Sequence, residues 1–234
     1  MKKESESVTL RRLAPSERDA ALALTWRVFC EYESPVYPPE GTEEFKKSIA
    51  DEGYLAGIRY YGAFDEDELV AVLGVREESC HICFFFVDGR YQRRGIGTAL
   101  FARLREDFPG RTITLNSSPY GLPFYRRLGF VSTDSEQTVN GIRFKPMEYV
   151  RLETDRLVID ALRPADREDY FHNISHDKRV LETFICRYAE SLEDFDFSAY
   201  LDRRDLFAIR LKGTEKLIGI ILYFDDNGES CEIG

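Results

Sequence analysis

The residues best suited to chemistry are Gln92-Arg93-Arg94-Gly95-Ile96-Gly97. They stand between an apolar strand-like stretch, residues 80–87, and a segment in which Ile96, Leu100, Leu104 and Phe108 recur every four residues, the period of a helix packed on a sheet. A strand that feeds a glycine-bearing turn into a helix gathers unpaired backbone N–H groups and the positive end of the helix dipole at one spot. That spot binds an anion. Gly95 and Gly97 let phosphate oxygens come close, while Arg93 and Arg94 add charge without replacing the backbone contacts. The turn is neither a dinucleotide fingerprint nor a Walker loop, because G-x-G-x-x-G is absent and no Gly-Lys-Ser/Thr follows.

The elements that must hold this turn can be read around it. Val8-Thr9-Leu10-Arg11-Arg12-Leu13 alternates as a strand, and Pro15-Ser16 opens an amphipathic helix through Ala20, Leu24 and Val28. Residues 31–41, with three prolines and two tyrosines, are expected to be a loop, and a helix is predicted from Thr42 to about Glu52. Strands are predicted at 60–64, 69–76 and 80–87, with Asp65-Glu66-Asp67-Glu68 as a solvated hairpin turn rather than a metal site. Beyond the helix at Ile96 come a buried strand at 112–116, a short helix at 121–128 and two final strands ending near Val150.

Bulk properties bound the rest. The 234 residues are 43% hydrophobic and 32% charged, with a formal net charge of −10. An acidic chain is poorly suited to wrapping nucleic acid, whose nonspecific affinity comes from Lys and Arg on phosphates. No apolar run is long enough to span a bilayer, and no apolar stretch backs Lys2 and Lys3, so neither a membrane partner nor a secretory leader is expected and a cytoplasmic setting is. The five cysteines read as reduced thiols. Cys80-His81-Ile82-Cys83 with His172 and His176 makes a nominal zinc set, but strand positions put Cys80 and Cys83 on opposite faces, and no metal is expected.

The wider motif resembles the Q/R-x-x-G-x-G/A signature of the GNAT family of N-acetyltransferases. Val87-Asp88-Gly89-Arg90-Tyr91-Gln92-Arg93-Arg94-Gly95-Ile96-Gly97 carries it, and Asn116-Ser117-Ser118 with Pro123-Phe124-Tyr125-Arg126-Arg127-Leu128-Gly129-Phe130 resembles the family's second motif. The resemblance implies a GNAT fold, a central mixed twisted α/β sheet flanked by helices, over residues 1–150. It further implies acetyl-CoA as co-substrate and direct transfer of its acetyl group to an amine of a small molecule or protein. Cofactor contacts would come from Phe85, Phe86, Val87, Gln92, Arg93, Arg94, Gly95, Ile96, Gly97, Thr98 and Asn116. The Val87 N–H would polarise the thioester carbonyl and Asn116 would bond the pantetheine arm. His81 stands at the family's register for a general base, and Tyr125 where many members place a general acid. Glu31-Tyr32-Glu33 with Tyr37, in the proline-bearing loop, fall where the family builds its acceptor pocket, with Glu31 and Tyr32 as the substrate-binding residues, and the loop carboxylates could hold a cationic amine, although exposed glutamates on loops are ordinary.

A weak repeat follows. Leu13-Ala14-Pro15-Ser16-Glu17-Arg18-Asp19 is echoed by Leu162-Arg163-Pro164-Ala165-Asp166-Arg167-Glu168, Glu68-Leu69-Val70-Ala71 by Lys216-Leu217-Ile218-Gly219, and Cys80-His81-Ile82 by Cys231-Glu232-Ile233. In residues 151–234, Leu152-Glu153-Thr154-Asp155-Arg156-Leu157-Val158-Ile159 and Phe207-Ala208-Ile209-Arg210 with Leu217-Ile218-Gly219 resemble the opening of ribosomal-protein-alanine-type GNAT proteins, which implies a truncated second GNAT-like unit without a phosphate turn of its own. Such a unit has an open sheet edge. Packing on the first domain, or on a second copy in a homodimer, are both open at this point. So is a non-catalytic role for the chain as an acyl-CoA-binding or interaction module.

Overall fold

The computed structural model describes residues 8–182, 187–201, 203, 205–224 and 232–233. They group into two compact units, residues 1–121 with 135–146, and residues 122–134 with 147–234. The first unit begins with β1 (Thr9–Arg12), a 3-10 turn at Pro15–Glu17, and α1 (Arg18–Tyr32). It continues through α2 (Pro39–Ser48), α3 (Glu52–Leu55), β2 (Ile58–Asp65), β3 (Glu68–Arg76), β4 (His81–Val87), α4 (Ile96–Asp107) and β5 (Ile113–Ser117).

The sheet runs in chain order from β1 to β5. Neighbours are antiparallel up to β4, and β4 and β5 are parallel, so this is the mixed α/β sheet expected. Its two faces are covered by different helices. Ala21, Leu24, Val28 and Phe29 of α1 share a core with Tyr60, Val72, Phe84 and Phe86, while on the alternate face the buried Tyr61 donates to Asp107 of α4 at 2.7 Å. Period-two alternation thus sends adjacent residues of one strand to opposite helices. The acidic run after β2 is a hairpin turn, with Glu66 at φ 51°.

Helix boundaries correct the reading of residues 31–52. α1 runs through Tyr32, a single 3-10 turn occupies Ser34–Val36, and α2 starts at Pro39, so the loop is much shorter than 31–41. Proline at the first helical position loses nothing, since its missing N–H would have no partner there. Thr42 does not cap a helix; it meets the Ser34 hydroxyl at 3.1 Å. The predicted single helix to Glu52 breaks after Ser48, because Asp51 starts a new one, its carboxylate accepting from Gly53 N and Tyr54 N. Cys80 sits just ahead of β4 at φ 53° instead of inside the strand.

β7 (Gln137–Val139) and the start of β8 (Ile142–Tyr149) form a hairpin in the first unit. The second unit holds α5 (Leu122–Leu128), β6 (Phe130–Ser132) and the end of β8, which pairs with β6. Three strands therefore stand where two were expected. A five-stranded antiparallel sheet follows, built from β9 (Arg151–Glu153), β10 (Leu157–Ala161), β11 (Leu206–Leu211), β12 (Leu217–Phe224) and β13 (Glu232–Ile233), in the order β13-β12-β11-β10-β9. Its aromatic core joins Tyr170 of α6 (Arg167–Tyr170) to Phe171, Phe195 and Phe197. α7 (Lys178–Leu181) completes the described helices.

The repeated sequence has a structural counterpart. β1, the Pro15–Glu17 turn and α1 are matched by β10, a Pro164–Asp166 turn and α6. In each, the acid three residues on bonds back to the chain: Ala14 N to Glu17 Oε2 at 2.8 Å, and Arg163 N to Asp166 Oδ2 at 2.7 Å. The second unit holds a buried ion cluster in which Arg210 bonds Asp160 at 2.8 Å and Asp166 at 2.6 Å. Cys186 and Cys231 lie outside the described residues.

Candidate active site

The turn predicted to bind phosphate has the geometry its sequence implies. Gly95 caps α4 in the left-handed region, φ 84° and ψ −5°, a conformation that penalises any Cβ, and a Cβ built there meets nothing within 4 Å. Conformation demands the glycine, and open space lies before it. Arg93 also takes a positive φ, 61°. Arg93 and Arg94 are exposed, the latter stacked over Tyr91 at 5.0 Å. Ile96 and Gly97 are buried in the first turn of α4, and Thr98 is exposed beside them.

The turn is braced from below by Asp88, 2% exposed, which accepts from Arg90 N at 2.9 Å and from the Arg90 side chain, and pairs with Arg27 of α1 at 2.7 Å. Arg90 first, then Arg27, hold its carboxyl well below the usual range. Gln92 is fixed at both ends of its amide, donating to Val87 O at 3.2 Å and accepting from Tyr120 OH at 3.1 Å.

β4 presents backbone groups to the open side. Asp88 N donates to Val70 O of β3, so by alternation the N–H groups of Val87 and Phe85 point away from β3, towards β5. Yet β5 pairs with β4 only at His81–Thr114 and Ile82–Leu115, and the strands then part. A gap edged by the N–H groups of Phe85 and Val87 results, with exposed Asn116 past the paired stretch of β5. An amide-bearing arm can add to such an edge as a strand would, and a thioester oxygen can accept from it. The Phe86 side chain belongs to the core under α1, and by the same alternation its N–H and C=O face β3, so the fold does not bring this residue's polar groups to the gap.

His81, at the start of β4, engages Thr114 Oγ1 through Nδ1 at 2.9 Å. Burial, then Arg76, lowers its pKa, so the ring is neutral near pH 7, and Nε2 is an acceptor in the tautomer whose Nδ1 donates to Thr114. Tyr32 stacks on Tyr120 at 5.1 Å, and its hydroxyl donates to Glu31. A Cβ on Gly89 would fall 2.1 Å from the Tyr32 hydroxyl, so that glycine is what admits the ring. Glu31 and Tyr32 are thus joined to the phosphate turn. Tyr125 lies on α5 in the second unit, half-buried, its ring edge-on to Phe130 at 5.7 Å and near Phe124 at 5.4 Å. Among the described residues no cluster of His, Cys, Asp or Glu could hold a metal ion, and no helix is long and apolar enough to cross a membrane.

Glu33 belongs to the loop carboxylates that the sequence offered for holding a cationic amine. The structure half-buries it at the end of α1, with Ser118 donating to its carboxylate, and burial pushes its pKa up to about 7. Nothing local marks it, since Ser118 reaches it only through the fold.

Comparison with known proteins gives the family. Residues 33–151 match the acetyltransferase (GNAT) domain family, and the chain belongs to that family. No curated protein matches significantly. Among solved structures the chain is similar to a GCN5-related N-acetyltransferase from Rhodopseudomonas palustris, at 20% identity and a TM-score of 0.53, over 61% of this chain and 94% of that one. It is also similar to the apo form of YjaB from Escherichia coli, at 19% identity and a TM-score of 0.50, over 62% and 98%. At such identities the likeness is one of fold.

Proposed function

We propose that the chain transfers the acetyl group of acetyl-CoA to a primary amine of a small molecule or protein. The carrying observation is the gap between β4 and β5, edged by the Val87 N–H and ending at the glycine-capped turn. In this reading Gln92, Arg93, Arg94, Gly95, Ile96, Gly97 and Thr98 hold the pyrophosphate, and Asn116 with the backbone of Phe85 holds the pantetheine arm. The Val87 N–H receives the developing oxyanion. His81 is a proton acceptor through Nε2, Glu31 and Tyr32 border the acceptor, and Tyr125 returns a proton to the departing thiolate. Residues 151–234 form a partial second unit of the same kind, supported by the repeated strand, proline turn and helix. A cytoplasmic protein is in keeping with this reading.

The test is thiol release from acetyl-CoA with a panel of primary amines. Amine-dependent release is expected, and Tyr125→Phe should lower kcat by about tenfold or more while leaving coenzyme A affinity within about twofold. Tight coenzyme A binding with no amine-stimulated release would favour a non-catalytic acyl-CoA-binding module. Undiminished turnover in Tyr125→Phe would remove that tyrosine from the mechanism.

A further inference from the structure

The segment that leaves β5 is built to present one side chain. Ser118-Pro119-Tyr120-Gly121 has serine first, proline second and glycine last, the order a tight turn favours, and Gly121 N donates to Ser118 O at 3.1 Å to close it. The Ser118 hydroxyl accepts from the same N–H, also at 3.1 Å. Tyr120 therefore stands at the tip of a braced turn. Its side chain is 48% exposed, so little of its packing is with the core, and what it does touch belongs to the cofactor site. Its hydroxyl donates to Gln92 Oε1 at 3.1 Å, and Gln92 Nε2 donates in turn to Val87 O at 3.2 Å. Its ring lies on that of Tyr32, with centroids 5.1 Å apart and planes 26° from parallel. Tyr32 itself rests on the turn after β4, where a Cβ on Gly89 would fall 2.1 Å from its hydroxyl.

β4 and β5 are parallel, so the turns that carry Gln92 and Tyr120 leave from the same end of the sheet. The two backbones pair at His81–Thr114 and Ile82–Leu115 and then part, and beyond their ends Tyr120 and Gln92 join them again through side chains. The gap is thus bounded by a short ladder at one end and by a tyrosine–glutamine bridge at the other. Such a bridge opens by a change of rotamer, on a nanosecond scale, and breaks no backbone hydrogen bond. It also bears on the gap's edge, because the carbonyl that Gln92 holds belongs to Val87, the residue whose N–H lines the gap.

We propose that Tyr120 is a strap over the pantetheine arm of the coenzyme, an assignment that rests on the acetyl-CoA reading of the site. The phenol swings off Gln92 to admit the arm between β4 and β5 and returns across it, so that the coenzyme runs beneath the Tyr120–Gln92 bond from the gap to the phosphate turn. No proton and no bond of the reaction passes through Tyr120. It is a positioning residue, acting through Gln92 and the Val87 edge. The ligand it favours is a nucleotide that carries a slender, extended amide arm, and a nucleotide without the arm gives the strap nothing to hold.

The experiment titrates coenzyme A and ADP, which has a pyrophosphate and no arm, into the wild-type chain, Tyr120→Phe and Tyr120→Ala by calorimetry. Tyr120→Phe removes the donor and keeps the stack. Coenzyme A should then bind about tenfold more weakly, through faster dissociation in stopped flow, with ADP affinity held within about twofold and the urea midpoint unchanged. Tyr120→Ala removes the stack as well and should weaken coenzyme A by about tenfold more, again sparing ADP. Equal losses for coenzyme A and ADP would assign Tyr120 to the phosphate turn and overturn the strap, as would undiminished coenzyme A affinity in Tyr120→Phe. A urea midpoint that falls in Tyr120→Phe would make the residue structural and overturn it too. None of these readouts needs turnover. Coenzyme A binding that depends on Tyr120 in a chain that releases no thiol with amines leaves the strap standing and removes the acetyl-transfer reading, whereas amine-stimulated release with full coenzyme A affinity in Tyr120→Phe does the reverse.

Discussion

At the scale of single residues, the site is a contrast between groups whose role is local and groups whose role is tertiary. Gly95 is of the first kind. Replacing it by alanine forces a Cβ into the left-handed region at a cost of about 1 kcal/mol. Gly95→Ala should lower the urea midpoint accordingly and weaken coenzyme A binding by about tenfold or more, because the new methyl occupies the space in front of the turn. Reduced stability with unchanged affinity, measured by titration calorimetry, would separate the turn from the phosphate. This residue was legible from sequence because a strand, a glycine pair and a helix period lie side by side along the chain. Glu33 was not, since its proton affinity depends on Ser118 and on burial that only the finished fold supplies. Tyr32 lies between the two. It ends α1 and does not lie in the loop expected there, and its stacking on Tyr120 and its fit against Gly89 are likewise supplied only by the fold.

At the scale of elements, the start of α2 shows how sequence rules compete. Thr42 followed by two glutamates looks like a capped helix start, yet Pro39 takes the first helical position and Thr42 turns to Ser34. The decision is tertiary. Gly41 of α2 lies against the β7–β8 turn, where a Cβ would stand 2.4 Å from Gly141 O, and Asn140 of the same turn donates to Glu44 at 3.1 Å. Backbone meets backbone here, so neither side can yield by rotating a side chain. Gly41→Ala should destabilise the protein by about 1–3 kcal/mol, read from the urea midpoint. A neutral outcome would mean that α2 can slide along the hairpin without loss. The strands β2 to β4 and the helix α4 were read almost to the residue, because period two and period four leave little room for another choice in long apolar stretches.

At the scale of the whole molecule, the repeated opening was visible because proline at a helix start and an acid three residues later act within one turn. The ion cluster that consolidates the second unit was invisible, as Arg210 meets Asp160 and Asp166 only across the sheet. All three side chains are at most 5% exposed. Arg210→Leu would leave the buried Asp166 without its guanidinium while Asp160 keeps Arg163, and the second unit should lose about 3 kcal/mol, seen as faster amide exchange in β10, β11 and β12. Unchanged protection there would show the cluster to be dispensable.

The short ladder between β4 and β5 has a bearing on which changes in length this chain can tolerate. Strand backbones alternate, so one residue inserted or deleted between Ile82 and Val87 would exchange the amides that face β3 with those that face the gap. It would also turn Phe84 and Phe86 out of the core under α1. Point changes along β4 are graded in effect, whereas a change of one in its length reverses the strand's two edges and two faces together. The number of residues in β4 is therefore as much a part of the site as their identities.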